Sequence, residues 1–492
     1  MAIVKKRLIE IFGEANVVDD ENVRERYTHD QSFEEGVKPD CIVFPGTVDQ
    51  VQQVVKLANE TRTPLIPYSS GLNLHGAALA RKRGIIVNLS RMNKILTVDE
   101  ENWFAIVEPG VTFKQLQEFL LEKGYRIMIP FGVPPDRSVL TSYLERDPVL
   151  AAASFEYGNN LIMDTELILP DGEIFRTGLW SVGGDPGSSM GPVRNVIFRL
   201  WTGAQGTLGI MTKMGVQITP YIKERKLFFL CFQNLSEAVA PLRMIQQKEI
   251  GLECFLLNRF NLAALLNIDC NIPKTFPTIP VTSLNFDKLR SILPPWVLII
   301  SIQGGPMYPE EKIAYEVEAL RGVCDGLNIE LQETLNQVNG VDGLLLNELT
   351  YPWGILKKFN YRGSVHDLNF KSPLQDITAM EAAILQACVA GGYKPDAIGA
   401  YVLPLERGRA LHCEFDLHCE LADPAEIKRV KDVWVNASEN LMNQGACFDR
   451  PYGAWAEMVY RRAETYAEKL KAVKQEIDPA GIMNPGKLCF TE

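Results

Sequence analysis

Two hydrophobic periods alternate along this chain. In CIVFPGTVDQVQQVVKLA, residues 41–58, an apolar triplet and a turn precede Val48, Val51, Val54, Val55 and Ala58 at helical spacing. The triplet predicts a strand and the spacing predicts a helix, with Thr47 as its N-cap. Residues 85–89 (IIVNL) predict another strand. Residues 95–108 read as a strand pair around a polar turn at 99–102, and Thr112 caps a helix that ends at Gly124. LIMDTELILPDGEIFRTG, 161–178, alternates around a Pro-Asp-Gly turn and predicts a β-hairpin. A glycine-rich run, GAQGTLGIMTKMGVQITP, starts at Gly203 and turns strand-like.

The character changes after Pro220. Strands such as KLFFLCF (226–232) alternate with helices such as 236–247, and the apolar run 296–302 has the length of a buried strand. This pattern predicts a second α/β unit with helices on one side of an antiparallel sheet. A proline-rich stretch, 270–295, reads as loop. The last segment, 447–492, ends in IDPAGIMNPGK, whose prolines and glycines predict tight turns.

Composition narrows the class. A chain of 492 residues exceeds one ordinary core, so two or three domains are expected. A net charge of −11 speaks against a nucleic-acid partner, which would require a basic face. Ten cysteines occur without a C-x-x-C pair, which gives no zinc or iron–sulfur spacing. The N-terminal MAIVKKRLIEIFGEANV reads as an amphipathic helix, not as an export signal, and no run is long enough to span a bilayer. A cytoplasmic protein with reduced thiols is the expectation.

Candidate chemistry begins in the loop IPYSSGLNLHG, residues 66–76. Apolar, strand-like residues lead into Ser69, Ser70, Gly71 and Asn73. Small residues let backbone N–H groups approach an anion, and hydroxyl and amide side chains add donors. The loop reads as a pyrophosphate cradle, with an ordinary turn as the other reading. It lacks both the Gly-Lys-Ser/Thr of a P-loop and the G-x-G-x-x-G spacing.

LHCEFDLHCEL, 411–421, has a strict period of two. His412, Glu414, Asp416, His418 and Glu420 share one face, and Cys413, Phe415, Leu417, Cys419 and Leu421 share the other. Two of the chain's five histidines lie here, and the polar face carries no lysine or arginine of its own. The face reads either as a substrate or metal site or as the solvated side of a sheet. Imidazole with carboxylate suits zinc, manganese or iron equally. In NYRGSVHD, Tyr361, Arg362 and His366 form a smaller polar group. Arg362 reads as a fork for a substrate carboxylate or as a structural arginine.

Seven segments, in order, resemble the flavoprotein family of vanillyl-alcohol oxidase and p-cresol methylhydroxylase. They are FPGTVDQVQQVVKLA, IPYSSGLNLHG, GIIVNLSRMNKIL, EPGVTFKQL, ILPDGEIFRTG, GAQGTLGIMTKM and IDPAGIMNPGK. The resemblance implies an α+β fold. Residues 1–220 would form a PCMH-type FAD-binding domain of two α+β subdomains. Residues 221–446 would form an α/β cap domain built on an antiparallel sheet, and 447–492 would return to the FAD domain. It implies FAD held by Pro67, Ser69, Ser70, Gly71, Leu72, Asn73 and Leu74, with Pro134 beside it. Glu156, Tyr157, Gly158 and Asn159 would lie near the flavin. Gly206, Leu208, Gly209 and Ile210 would run along the cofactor, and Lys487 would sit near the flavin or its phosphates. Some members attach flavin covalently on a cap strand, nearest here to Cys413; non-covalent FAD is the expectation. Relatives that act on 2-hydroxy acids bind a divalent metal on that strand, which keeps a metal open.

The departures from the family bear on the substrate. Its phenol oxidisers hold a phenolate with two tyrosines and an arginine, and place an aspartate by the flavin. Those positions fall here on His75, Tyr452, Gly453 and Pro130. The expected catalytic set is Tyr452, His75, His412 and Glu414. The resemblance implies an FAD-dependent oxidoreductase that takes a hydride from a C–H bond of a small hydroxylated substrate, a 4-alkylphenol or aromatic alcohol. Oxygen, a cytochrome or an electron-transferring flavoprotein would accept the electrons. The alternatives are a metal-assisted 2-hydroxy-acid dehydrogenase and a non-catalytic flavoprotein scaffold subunit. A homo-oligomer is expected.

Overall fold

Short branched strands build the first sheet. Cys41–Val43 and Leu65–Tyr68 run parallel to Ile85–Asn88 on either side of it, and Val17–Val18 adds an antiparallel edge. The helix Val48–Thr61, capped by the Thr47 hydroxyl, lays Val51, Val54, Val55 and Ala58 on this sheet against Val43, Ile85 and Val87. This is a computed structural model, and it describes residues 2–73, 75–151, 161–190, 197–267, 285–335 and 338–491.

A second sheet is antiparallel. Its order is Ile95–Asp99, Phe104–Val107, Ile210–Gln217, Ile162–Ile168 and Ile174–Arg176. The helices Phe113–Glu122 and Val139–Leu144 share a core with it through Leu116, Leu120, Leu140 and Tyr143. The C-terminal turns bind the first sheet. The N–H of Leu65 donates to Ile482 at 2.8 Å, and the N–H of Asn484 donates to Leu65 at 2.8 Å.

The third sheet has six antiparallel strands, ordered Arg225–Phe232, Trp296–Gln303, Glu253–Asn258, Gly399–Leu405, Ala410–Glu420 and Gly363–Ser372. The helices Leu235–Gln247, Pro309–Leu327, Ile377–Ala390 and Pro424–Asn443 cover one face, burying Cys413, Phe415, Leu417 and Cys419. The other face is apolar at its near end, where Phe229, Phe255, Ile299 and Leu403 join the core of the second sheet. Its far end, on the last two strands, is polar.

Two expectations change here. Part of the stretch read as loop is the helix Phe286–Ile292, capped by Asn285, because one short amphipathic turn hides easily among prolines. Residues 268–284 lie outside the described residues. Most of the polar face of 411–421 is not solvated: His412, Asp416 and His418 are buried and Glu414 is half-buried, while Glu420 at the strand end is exposed. Among the described residues no helix is long and apolar enough to cross a membrane.

Candidate active site

The chain leaves the strand Leu65–Tyr68 and enters the small-residue loop directly. Ser69 Oγ lies 2.6 Å from Thr141 Oγ1, and Ser70 Oγ accepts the N–H of Ser138 at 3.1 Å. Asn73 Oδ1 accepts the N–H of His75 at 2.7 Å, which fixes the turn that presents the imidazole. Gly71 has φ +68° and a Cβ there would overlap the Tyr68 hydroxyl, so the loop requires glycine.

This loop walls a cleft of about 920 Å³. Pro67, Ser69, Ser70, Gly71, Leu72 and Asn73 form one side, and Gly206, Gly209 and Ile210 contribute the glycine-rich side. Thr141, Glu145 and Arg137 complete it. Leu208 is buried in the core behind, and its carbonyl accepts Trp201 Nε1 at 3.0 Å. Lys487 is buried beneath the loop, where Nζ donates to the Gly76 carbonyl at 2.6 Å; burial pulls its pKa down to about 7. Leu74, Glu156, Tyr157, Gly158 and Asn159 lie outside the described residues.

A second space of about 710 Å³ shares Leu72, Asn73 and Arg137 with the cleft. One wall is apolar: Pro130, Phe131, Val133, Pro134 and Phe359. The facing wall is the polar end of the cap sheet, with Asp367, Asn369, Tyr401, His412 and Glu414. Strand register sets this wall out in rows. Tyr401, Glu414 and Asn369 are paired across three strands, as are Leu403, His412 and Lys371.

Each charge on this wall meets a partner. Lys358, from the short helical run Gly354–Tyr361, reaches Glu414 at 2.6 Å and Asp416 at 2.8 Å. Asp147 receives Arg137 at 2.8 Å and also Arg450; although burial opposes it, the two guanidinium groups hold the carboxyl below its usual range. Arg137 also donates to the Leu72 carbonyl, and Arg450 to Asn369 Oδ1 at 3.2 Å.

His412 accepts a hydrogen bond at Nδ1 from Lys371 Nζ at 3.0 Å. Burial, reinforced by Lys371, pushes the imidazole pKa far down, so the ring is neutral. A lysine ammonium has only protons to offer, which leaves the ring proton on Nε2. That nitrogen faces Glu414 at 3.8 Å.

His75 connects the loop to the cap sheet. Its Nε2 lies 3.1 Å from Asn369 Nδ2 and 3.5 Å from Asp367 Oδ1. Its ring stacks on Tyr452, with centroids 5.4 Å apart at 5°. Tyr452 is one layer further in and donates its hydroxyl to Glu145. The structure thus brings His75, His412 and Glu414 around one space and places Tyr452 behind His75.

Residues 39–178 match the family described as "FAD binding domain". The glycolate oxidase subunit GlcD of Bacillus subtilis (strain 168) is 24% identical over 504 residues, 99% of this chain and 96% of that protein. The flavoprotein subunit of 4-cresol dehydrogenase [hydroxylating] of Pseudomonas putida is 34% identical over 224 residues, 42% of this chain and 41% of that protein. The crystal structure of p-cresol methylhydroxylase with substrate bound shares the fold. Its TM-score is 0.82 at 21% identity, over 99% of this chain and 96% of that one.

The chain carries an FAD-binding domain and has the fold of p-cresol methylhydroxylase.

The cleft of this flavoprotein fits its cofactor. Gly206 has φ +69°, and a Cβ there would come within 2.9 Å of Pro67, so a bare backbone is needed where the two cleft walls meet. Serine hydroxyls line the cleft at the turn, as an anionic linker requires. A metal does not fit the cap strand as well. The position a cation would take between Glu414 and Asp416 holds the Lys358 ammonium, and Lys371 lies against His412. Among the described residues no three His, Cys, Asp or Glu side chains gather at metal-binding distances. Cys413 faces the helices of the cap, in the core and away from the polar wall.

The group Tyr361, Arg362 and His366 does not act together in this oxidoreductase. Arg362 pairs with Glu426, and His366 stacks on Phe33 at 3.8 Å, where burial lowers its pKa to about 3. Sequence reasoning missed Arg137, Glu145, Asp147, Lys358, Asp367, Asn369, Lys371, Tyr401 and Arg450. The alternation of Asp367, Asn369 and Lys371 with Leu368 and Phe370 carries the same signal as 411–421. Of the others, Arg137, Glu145 and Asp147 flank the helix Val139–Leu144, while Lys358, Tyr401 and Arg450 stand on separate segments, and none has a local pattern.

Proposed function

We propose that this protein oxidises a small hydroxylated aromatic substrate of the 4-alkylphenol or aromatic alcohol type. FAD, held by Ser69 to Asn73 and Gly206 to Ile210, supplies the hydride acceptor when bound. The observation that carries the reading is the two-faced space beside the loop. Phe131, Phe359, Pro130 and Pro134 offer an apolar wall to a ring, and the cap sheet offers polar groups to its oxygen. In this reading Glu414 takes the hydroxyl proton as the C–H bond breaks, and the Nε2–H of His412 polarises the same oxygen. His75 orients the substrate, and Tyr452 with Glu145 holds His75. Cofactor attachment is non-covalent, since Cys413 points away. Oxygen or a redox protein takes the electrons.

The near full-length similarity to a glycolate oxidase subunit favours a second reading, a 2-hydroxy acid as substrate. Its carboxylate would need a cation. Arg137, Arg450 and Lys358, which line the space, already hold protein carboxylates. An anaerobic screen decides between the two. The purified holoenzyme is mixed with 4-alkylphenols, aryl alcohols, glycolate and D-lactate, and flavin absorbance is followed. Bleaching by an aromatic compound is expected; bleaching by the hydroxy acids alone rejects the aromatic reading.

A further inference from the structure

Tyr401 stands apart from the other polar groups of the wall. Its side chain is buried, with 2% of the residue exposed, and its hydroxyl has no hydrogen-bond partner. It lines the space beside the loop, in the same register row as Glu414 and Asn369, with its ring against Phe131 and His412 at 4.9 and 5.8 Å. A buried hydroxyl left unpaired is unfavourable, so this position is built for an occupant that accepts a hydrogen bond. Burial, with Glu414 nearby, keeps the phenol protonated and therefore a donor.

The surrounding charges define what it binds. Arg137, Arg450 and Lys358 are committed to Asp147, Asn369, Glu414 and Asp416. Among the described residues, neutral donors also line the space: the hydroxyl of Tyr401, the Nε2–H of His412 and the Asn73 amide. Resting on the aromatic reading above, we propose that Tyr401 is a specificity-determining residue that donates a hydrogen bond to an uncharged oxygen of the substrate. The enzyme then takes a neutral hydroxyl- or carbonyl-bearing aromatic molecule and discriminates against an anion. Glu414, next in the row, accepts from the same substrate hydroxyl, so that one oxygen is held by a donor and an acceptor.

Three ring compounds of similar size test this by perturbation of the flavin absorbance of the oxidised holoenzyme. Acetophenone carries a neutral oxygen and cannot yield a hydride, ethylbenzene carries no oxygen, and benzoate carries a charge. The wild type is expected to bind acetophenone roughly tenfold more tightly than the other two, the worth of one buried hydrogen bond. Tyr401→Phe should weaken acetophenone about tenfold, leave ethylbenzene unchanged and retain full FAD content. If Tyr401→Phe loses FAD, Tyr401→Met is titrated in the same way. Equal acetophenone binding in wild type and variant overturns the role of Tyr401 but leaves the aromatic reading standing. Tightest binding of benzoate overturns the preference for a neutral oxygen. If no ring compound binds and glycolate bleaches the flavin, both proposals fall.

Discussion

At the scale of single residues, this site works by committing its charges to one another. Lys358 illustrates the consequence. It is buried between Glu414 and Asp416, and replacing it by methionine leaves two carboxylates facing each other without a cation. Breaking a buried pair in this way costs about 3–5 kcal/mol. Urea denaturation of Lys358→Met should show that loss, and a triple variant with Glu414→Gln and Asp416→Asn should recover most of it. An unchanged midpoint in the single variant would mean that the triad does not form. Tyr452 makes a different prediction. Its hydroxyl satisfies the buried Glu145, whose pKa burial has raised. Tyr452→Phe should cost about 1–3 kcal/mol of stability and reduce turnover about tenfold with FAD still bound. Undiminished turnover would remove Tyr452 from the site.

At the scale of elements, the loop 66–76 and the glycine run near Gly203 act as one device. The loop follows the edge strand Leu65–Tyr68, the glycine run leads into the central strand Ile210–Gln217, and the two meet where Gly206 abuts Pro67. Gly206→Ala introduces both a side chain into that contact and an unfavourable left-handed backbone, worth about 1–2 kcal/mol. The variant should be purified with less FAD, read as a lower ratio of flavin to protein absorbance. An unaltered ratio would show that the two walls need not approach so closely. The strand Ala410–Glu420 teaches the opposite lesson about local pattern. Its period-two alternation was plain in the sequence, and the strand is there. Its missing cations were not visible, because they come from Lys358, over fifty residues earlier, and from Lys371 on the paired strand.

At the scale of the whole molecule, the packing of the polar end of the third sheet buries three histidines, His366 against Phe33 and His418 against Phe260 and Tyr361. Burial lowers His366 to about 3 and His418 to about 4, and His412 far below its ordinary range. Unfolded histidine titrates near 6.5. As pH falls from 6.5 toward 4, the unfolded chain takes up protons that the folded chain refuses. Stability contributed by these neutral rings is therefore full above about pH 6.5 and is lost as pH drops. The slope reaches about 1.4 kcal/mol per pH unit for each ring. Burial also raises Glu348 and Glu381 to about 7, and these carboxyls work in the opposite direction over the same window, so the rings are read one at a time. Thermal unfolding of wild type and His418→Phe, followed by flavin fluorescence between about pH 6.5 and 4.5, should differ in slope by about one ring's share. An identical slope in the two proteins would contradict the burial of His418.

The sequence by itself determined the elements and the cofactor class. Apolar periodicity marked strands and helices, since burial imposes a period of two or 3.6 on any segment that packs. The loop 66–76 marked a cradle for an anion, since close approach to an anion demands small residues in consecutive positions, and the resemblance of seven ordered segments to a flavoprotein family implied FAD. Both signals are local, so a linear reading recovers them. Only the tertiary structure decided what the polar strand is for. Whether His412 and Glu414 face water, a metal or a substrate depends on which charges other elements bring to them. Lys358, Lys371, Arg137, Arg450 and Asp147 arrive from five different places in the chain. Electrostatic pairing and burial are properties of that assembly, and no single segment carries them.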